Sequence, residues 1–302
     1  MTGAAAARFP SPLRYPGGKG KIANYIKLIM LKNDLLGSDY VEPYAGGASV
    51  ALSLLFEDYA GHIHINDLNE GVHAFWHSVL NDTDALCSLI ETTEVSVEEW
   101  HFQKDVQRSI SPSTLELGFS TFFLNRTNRS GIISGGIIGG LKQDGPWKID
   151  ARFNKDNLVQ RIRKISRFKS RISLTKIDAV EFVMSWAEPE QPPAFLYLDP
   201  PYYVKGEGLY DNFYEHQDHA EVAASVSRLA HPWIVSYDAA PAILRLYEAQ
   251  DSLHYGLSYS AAKSSKGSEV IFHAPELVLP DELSPSGISA ASFRKKRMEL
   301  LS

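Results

Sequence analysis

Cysteine is nearly absent: the chain of 302 residues holds one, Cys87. That excludes an intrachain disulfide and any zinc site built on cysteines, and it suits a reducing compartment, so the expected location is the cytoplasm. Long apolar runs are lacking too. The longest, such as IKLIML and FLYL, fall far short of the ~20 residues a membrane span needs, and no membrane is expected among the partners. The opening stretch MTGAAAARFPSP has no apolar core of the kind a secretory signal carries and reads as a flexible leader over 1–12. Histidines pair without gathering. His62 and His64 alternate along one run and His216 and His219 flank a helix start, but neither pair has a third ligand, so no metal is expected.

What the chain does have is charge in one place. The net charge is −6, yet between His101 and Lys176 there are 15 Lys and Arg against 5 Asp and Glu, half of all the basic residues in a quarter of the chain. A run such as RIRKISRFKSR is either a solvated helical face or the electrostatic footprint of a polyanion, whose binding would weaken with salt. Charge by itself leaves both readings open.

The order of elements is more informative. LRYPGGKGKIANYIKLIML is a Gly-rich loop running into a helix, with Ile22, Ile26, Ile29 and Met30 on one face. DYVEPYAGGASVALSLLFEDY reads as a strand, a Gly-Gly turn and a helix from about Ala48, followed by the β-rich GHIHINDLNEGV and a helix through GVHAFWHSVL. These βαβ signals predict an α/β fold with a doubly wound parallel sheet and a ligand at the carboxyl ends of its strands. Strand-like runs resume at RISLTKI, AFLYLDP, HPWIVSY and EVIFHAP. The expected organisation is a catalytic domain over 13–82 and 172–278, an inserted and mainly helical basic region over 83–171, and a flexible Ser-rich, then basic, tail over 279–302.

Two corners carry the chemistry. The turn EPYAGG lacks both the dinucleotide pattern and the Lys-Ser/Thr ending of a phosphate loop, but Gly46 and Gly47 let a small ligand approach the backbone. Asp67 ends the next strand, where a carboxylate can take two ribose hydroxyls, so a nucleoside-bearing ligand fits; a turn and a helix cap are the bland alternatives. The second corner is LYLDPPYY. Pro200 and Pro201 stiffen a strand exit and leave carbonyls free to accept hydrogen bonds. Asp199 adds a carboxylate and Tyr202 an aromatic face. Together they suit the exocyclic amine of a planar base: Asp199 and the Pro200 carbonyl accept its N–H bonds, and the carboxylate stabilises the positive charge that grows as the nitrogen is methylated. Stacking on Tyr202, worth ~1–3 kcal/mol, would offset much of the cost of taking a base out of a duplex. Tyr203 either walls the pocket or packs behind it.

At this point the sequence resembles the Dam-like, D12-class N6-adenine DNA methyltransferases, from about Leu13 to Pro275. LRYPGGKGKI, VEPYAGGASV, NDLNEGV, FFLNRTNRSGI and LDPPYY follow the order of that family's motifs. The resemblance implies a Rossmann-like methyltransferase fold, S-adenosyl-L-methionine as cofactor, double-stranded DNA as partner and methyl transfer to the N6 amine of a flipped adenine. It places Tyr15, Lys19, Gly46, Gly47, Asp67, Asp178 and Asp199 at the cofactor, with Asp178 equally readable as a helix cap. Asp199, Pro200, Pro201 and Tyr202 form the catalytic motif. Asn125, Arg126, Asn128 and Arg129 belong to the DNA-contacting segment, which makes the basic insertion the target-recognition region. Arg129 and Ser134 stand where GATC-methylating relatives carry the aromatic and the arginine that enter or read DNA, which leaves GATC unsupported as the site. ISGGIIGGLKQDGPWKI reads as a glycine-rich hairpin, structural or offering Lys142, Gln143 and Trp147 to DNA, and Lys263 and Lys266 sit in a Ser-rich loop that could touch phosphates. Methylation of cytosine N4, or a non-catalytic DNA-binding relative, are the competing readings. A cognate restriction nuclease is a partner the resemblance allows, and one active site per chain asks for no more than a monomer or weak dimer.

Overall fold

Runs rich in β-branched and aromatic residues pair into one sheet. The computed structural model describes residues 10–14, 19–188, 191–204, 214–258, 266–281 and 284–301. Its strands are β1 (Asp39–Glu42), β2 (His62–Asn66), β3 (Ile172–Thr175), β4 (Ala194–Leu198), β5 (Trp233–Asp238), β6 (Asp251–Ser258) and β7 (Lys266–His273). They lie in the order β3-β2-β1-β4-β5-β7-β6. The first five pair in parallel, while β7 runs antiparallel to both of its neighbours. The sheet is therefore mixed, a correction to the parallel sheet expected. β6 is the strand the sequence reading lacked: Leu253, Tyr255 and Leu257 alternate, but Ser, His and Gly between them dilute the signal. Every residue of β4 and β5 is buried, so both faces of the sheet centre are covered, as a doubly wound fold requires.

The helices are α1 (Ala23–Lys32), α2 (Ser49–Phe56), α3 (Glu70–Asn81), α4 (Thr83–Thr92), α5 (Val97–Val106), α6 (Thr114–Thr127), α7 (Lys155–Ser166), α8 (Ala179–Ser185), α9 (His216–Val226), α10 (Pro241–Leu246) and α11 (Ala290–Leu301). The order of strands reverses between β1 and β4, and in such sheets ligands bind where the carboxyl ends part. Asn66 ties three of those ends together: its amide donates to the carbonyls of Pro43 and Ile177 and accepts from Thr175 Oγ1 and Ile177 N–H.

The inserted region does not stand apart. α6 presses on α3 through glycines: a Cβ on Gly118 would lie 2.6 Å from the Ala74 carbonyl oxygen, and one on Gly71 would lie 2.4 Å from Thr121 Oγ1. Phe75 stacks on Phe122 across the same contact, with centroids 5.7 Å apart. Gly118→Val should therefore cost about 2–3 kcal/mol by overpacking, read as an earlier urea midpoint. A midpoint equal to the parent's would mean that the helices can separate freely.

The tail also departs from expectation. In place of a flexible segment, α11 packs on α1, with Phe293 only 7% exposed and its ring against Tyr59. Asn33 exchanges hydrogen bonds with both backbone groups of Val278, and Asn24 donates to the Ile288 carbonyl. Burial of Phe293, together with a run of strong helix formers after the Ser-rich stretch, accounts for the order.

Candidate active site

A cleft sits where β1 and β4 diverge, lined by Lys19, Glu42, Gly46, Gly47, Asp67 and Asp199 among others. Gly46 (φ 45°) and Ala48 (φ 45°) carry the turn into α2 through left-handed backbone, and Asp67 fastens that turn by accepting from Gly46 N–H at 2.7 Å. The other Asp67 oxygen accepts from Asn69 N–H. Burial outweighs those two bonds and pushes the Asp67 carboxyl up to about 6. Glu42, buried below the turn, is raised well above the carboxylate range by burial, and the charges of Asp199 and Asp67 add to the rise. Three carboxyls share one cleft, and with Glu42 held neutral by burial the charge that can attract a cation comes from Asp67 and Asp199.

Asp199 leaves β4 at the cleft floor. Its Oδ1 accepts from Ser236 Oγ at 2.7 Å and lies 3.1 Å from Lys19 Nζ. Its Oδ2 has no hydrogen-bond partner among the described residues, which leaves an acceptor fixed in place and available. Burial raises the Asp199 carboxyl, with Lys19 and Ser236 pulling it back. Pro200 is buried and Pro201 lines the cleft. Asp238, at the end of β5, accepts from the N–H groups of Tyr203 and Val204 at 3.0 Å each, so the corner is pinned on both sides.

The tyrosines differ from what their adjacency suggests. Tyr202 is buried at 8% exposure, with its hydroxyl donating to Glu269 at 2.6 Å and receiving from the Lys19 ammonium. Tyr203 packs behind the corner against His216 and His219, and His219 bonds the Tyr237 hydroxyl. Tyr44 and Tyr214 line the cleft instead, their hydroxyls 3.2 Å apart. His62 and His64 bond Ser173 and Asp39.

Among the other residues singled out by sequence, Tyr15 and Lys263 lie outside the described residues. Asp178 is a helix cap: exposed, it accepts from Val180 and Glu181 N–H and does not line the cleft. Asn125 and Asn128 are buried, not surface readers. Asn125 accepts from Arg14 N–H and donates to the carbonyls of Arg14 and Gly131; Asn128 accepts from Trp100 Nε1 and donates to Ile132 and Ile133. Gly131 (φ 81°) is required there, since a Cβ would meet the Arg14 carbonyl oxygen at 2.4 Å. The glycine-rich stretch closes through a single bridge, Asn128 to Ile137, followed by turns, and Gln143 is consumed by the backbone of 138–149. Lys142 is exposed, as is Trp147 at 65%, and Arg129 lies on a surface depression with Lys104 and Arg108.

Arg126 is the outlier. It is 8% exposed, and its side chain has neither a hydrogen-bond acceptor nor a carboxylate among the described residues. Burial, then the charges of Arg161, Arg14 and Arg152, hold its guanidinium down at about 9. Arg161 Nε is likewise buried without a partner. The charges of three other arginines thus reach Arg126, and none of the four has an ion pair among the described residues. Proximity of Asn125, Arg126 and Asn128 in sequence gave no sign of this division between buried scaffold and buried charge.

A family model for the D12 class N6 adenine-specific DNA methyltransferases matches residues 15–260. The type II methyltransferase M.MjaIII of Methanocaldococcus jannaschii is 25% identical over 204 residues, 63% of this chain and 68% of that protein. The modification methylase StsI of Streptococcus sanguinis is 23% identical over 211 residues, 64% of this chain but only 29% of that protein's length. Among solved structures, PH1948 of Pyrococcus horikoshii covers 87% of each chain at 8% identity, with a TM-score of 0.41.

Proposed function

Because the chain belongs to the D12 class N6 adenine-specific DNA methyltransferase family, we propose that its cleft holds S-adenosylmethionine and that Asp199 receives the amine of an adenine turned out of duplex DNA. The observation that carries this reading is the half-used carboxylate: Oδ1 anchored by Ser236 and Lys19, Oδ2 free to accept.

The residues present suit the cofactor. It supplies a methyl group on a positively charged sulfur, and the carboxylates of Asp67 and Asp199 favour a cation. Asp67 would take ribose hydroxyls while Gly46 and Gly47 give backbone access. Asp199 Oδ2 and the Pro200 carbonyl accept the two N–H bonds of the amine and aim its lone pair outward. As the new N–C bond would form and the methyl–sulfur bond break, its electron pair leaving with sulfur as a neutral thioether, the nitrogen gains positive charge, which the fixed carboxylate stabilises without reorganising. The surplus proton passes to Asp199, whose raised affinity for protons suits a transient acceptor, and then to water. Tyr202, buried and anchored at its hydroxyl, braces the corner, while Tyr44 and Tyr214 give the base a wall. Residues 83–171 form the target-recognition region, with Arg129, Lys142 and Trp147 on the surface and the cluster of Arg14, Arg126, Arg152 and Arg161 receiving a backbone phosphate.

Incubating the protein with labelled cofactor and unmethylated duplex DNA, then digesting to nucleosides, should yield labelled N6-methyladenine. An active preparation that labels only cytosine, or nothing, sinks the reading. Cofactor affinity should also depend on pH. Only the ionised Asp67 accepts from ribose hydroxyls, and its carboxyl sits at about 6. Calorimetric affinity is thus expected to be level above that pH and to fall about tenfold for each unit below it. Asp67→Asn should bind weakly and without the slope; a flat profile in the parent protein would remove Asp67 from the ribose.

A further inference from the structure

Glu269, on β7, has no part in the chemistry above. It is 1% exposed, accepts from Tyr202 Oη at 2.6 Å and from Tyr255 Oη at 2.7 Å, and lies 3.6 Å from Lys19 Nζ. Lys19, itself 6% exposed, is 3.1 Å from Asp199. One buried ammonium thus stands between two carboxylates, one at the exit of β4 and one on β7.

A lysine paired with Asp199 alone would serve methyl transfer badly. It would orient the carboxylate, but its charge would cancel the negative charge that the amine needs as it becomes cationic. In a cleft shielded from water that cancellation is felt strongly. A second carboxylate on the far side of the ammonium removes the conflict, since one lysine between two acids leaves a net negative charge facing the amine. We propose that Glu269 is a positioning residue for the reaction, a counter-charge that lets Lys19 hold Asp199 in place without quenching it. The proposal rests on the assignment of Asp199 to the amine. It also accounts for the direction of the Tyr202 hydroxyl, which points into the protein and donates to Glu269.

Two substitutions of opposite character separate this from a packing role. Glu269→Gln keeps the shape and loses the charge; Glu269→Asp keeps the charge and leaves a gap. Removing one preorganised electrostatic group typically costs ~10²-fold in rate, and a single-turnover methyl-transfer rate about 100-fold lower is expected for E269Q. E269D should stay within about tenfold of the parent by the same reasoning, and cofactor affinity should hold in both. A packing role predicts the reverse order, and E269D slower than E269Q would overturn the proposal. In a Lys19→Gln background the ammonium that Glu269 is proposed to balance is gone, so adding E269Q should change the rate little, a non-additive pair. A further tenfold loss there would also overturn it, and this comparison stands even if E269Q alone fails to fold. The parent protein is assayed alongside: no N6-methyladenine from it would remove the underlying reading, whereas an active parent with equally active E269Q removes only the counter-charge.

Discussion

Asp199→Ala is expected to lower methyl transfer by at least about a thousandfold, the upper end of what one preorganised group supplies, while DNA binding survives. The basis is geometric. Asp199 Oδ2 is an acceptor without a partner among the described residues, and the groups that fix it cannot replace it, since Lys19 only donates and the Ser236 hydroxyl carries no negative charge. The fold should tolerate the change. Ser236 loses an acceptor but keeps its contact with the Tyr197 hydroxyl, and Lys19 keeps Glu269. Removing a carboxyl that burial already penalises offsets part of the loss. Single-turnover transfer of labelled methyl, measured beside a gel-shift titration, separates the two effects. Transfer at the parent rate would refute the role given to Asp199, and loss of DNA binding in step with activity would point to a collapsed fold.

Arg126→Met carries the second large effect, and it has two opposite signs. Without DNA the guanidinium is buried against three other arginines, so the folded chain holds that proton less tightly than the unfolded one. The cost is in force at neutral pH and lifts only as pH rises past about 9. Replacing such a charge with an apolar chain of similar length should stabilise the free protein by about 1–3 kcal/mol. The same change should weaken DNA binding about tenfold or more and reduce the slope of log affinity against log salt by roughly one. A stabilised variant that binds DNA with the parent's affinity and slope would show that the cluster meets no phosphate. A destabilised variant would show that Arg126 supports the fold.

The catalytic half was legible because its signals are local. A Gly-Gly turn after β1, an acid after β2 and an Asp-Pro-Pro corner after β4 each follow from which residues can occupy a strand exit, and all three line one cleft. What escaped depends on contacts distant in sequence. Glu269 reads as one acid in a Ser- and Lys-rich run, and only the pairing of β7 with β5 brings it to Lys19, 250 positions earlier. Asn125 and Asn128 resemble polar readers beside two arginines, yet their amides are spent on the chain's own backbone. Tyr202 and Tyr203 are adjacent and alike, and only the fold sends one hydroxyl to Glu269 and the other ring to His219. In each case residue type announces polarity and topology decides the partner.

The close seat of Gly118 on Ala74 and of Gly71 beside Thr121 also sets where this protein can be cut and joined. A chimera that imports the whole of 83–171 from a relative would have to match two backbones approaching without side chains between them. A graft limited to the surface stretch from Arg129 to Lys148 leaves that joint untouched. Under the proposed assignment of DNA contacts to this region, two hydrogen-only side chains confine the exchange of specificity to a segment of loops, and the helices beneath it travel with the sheet.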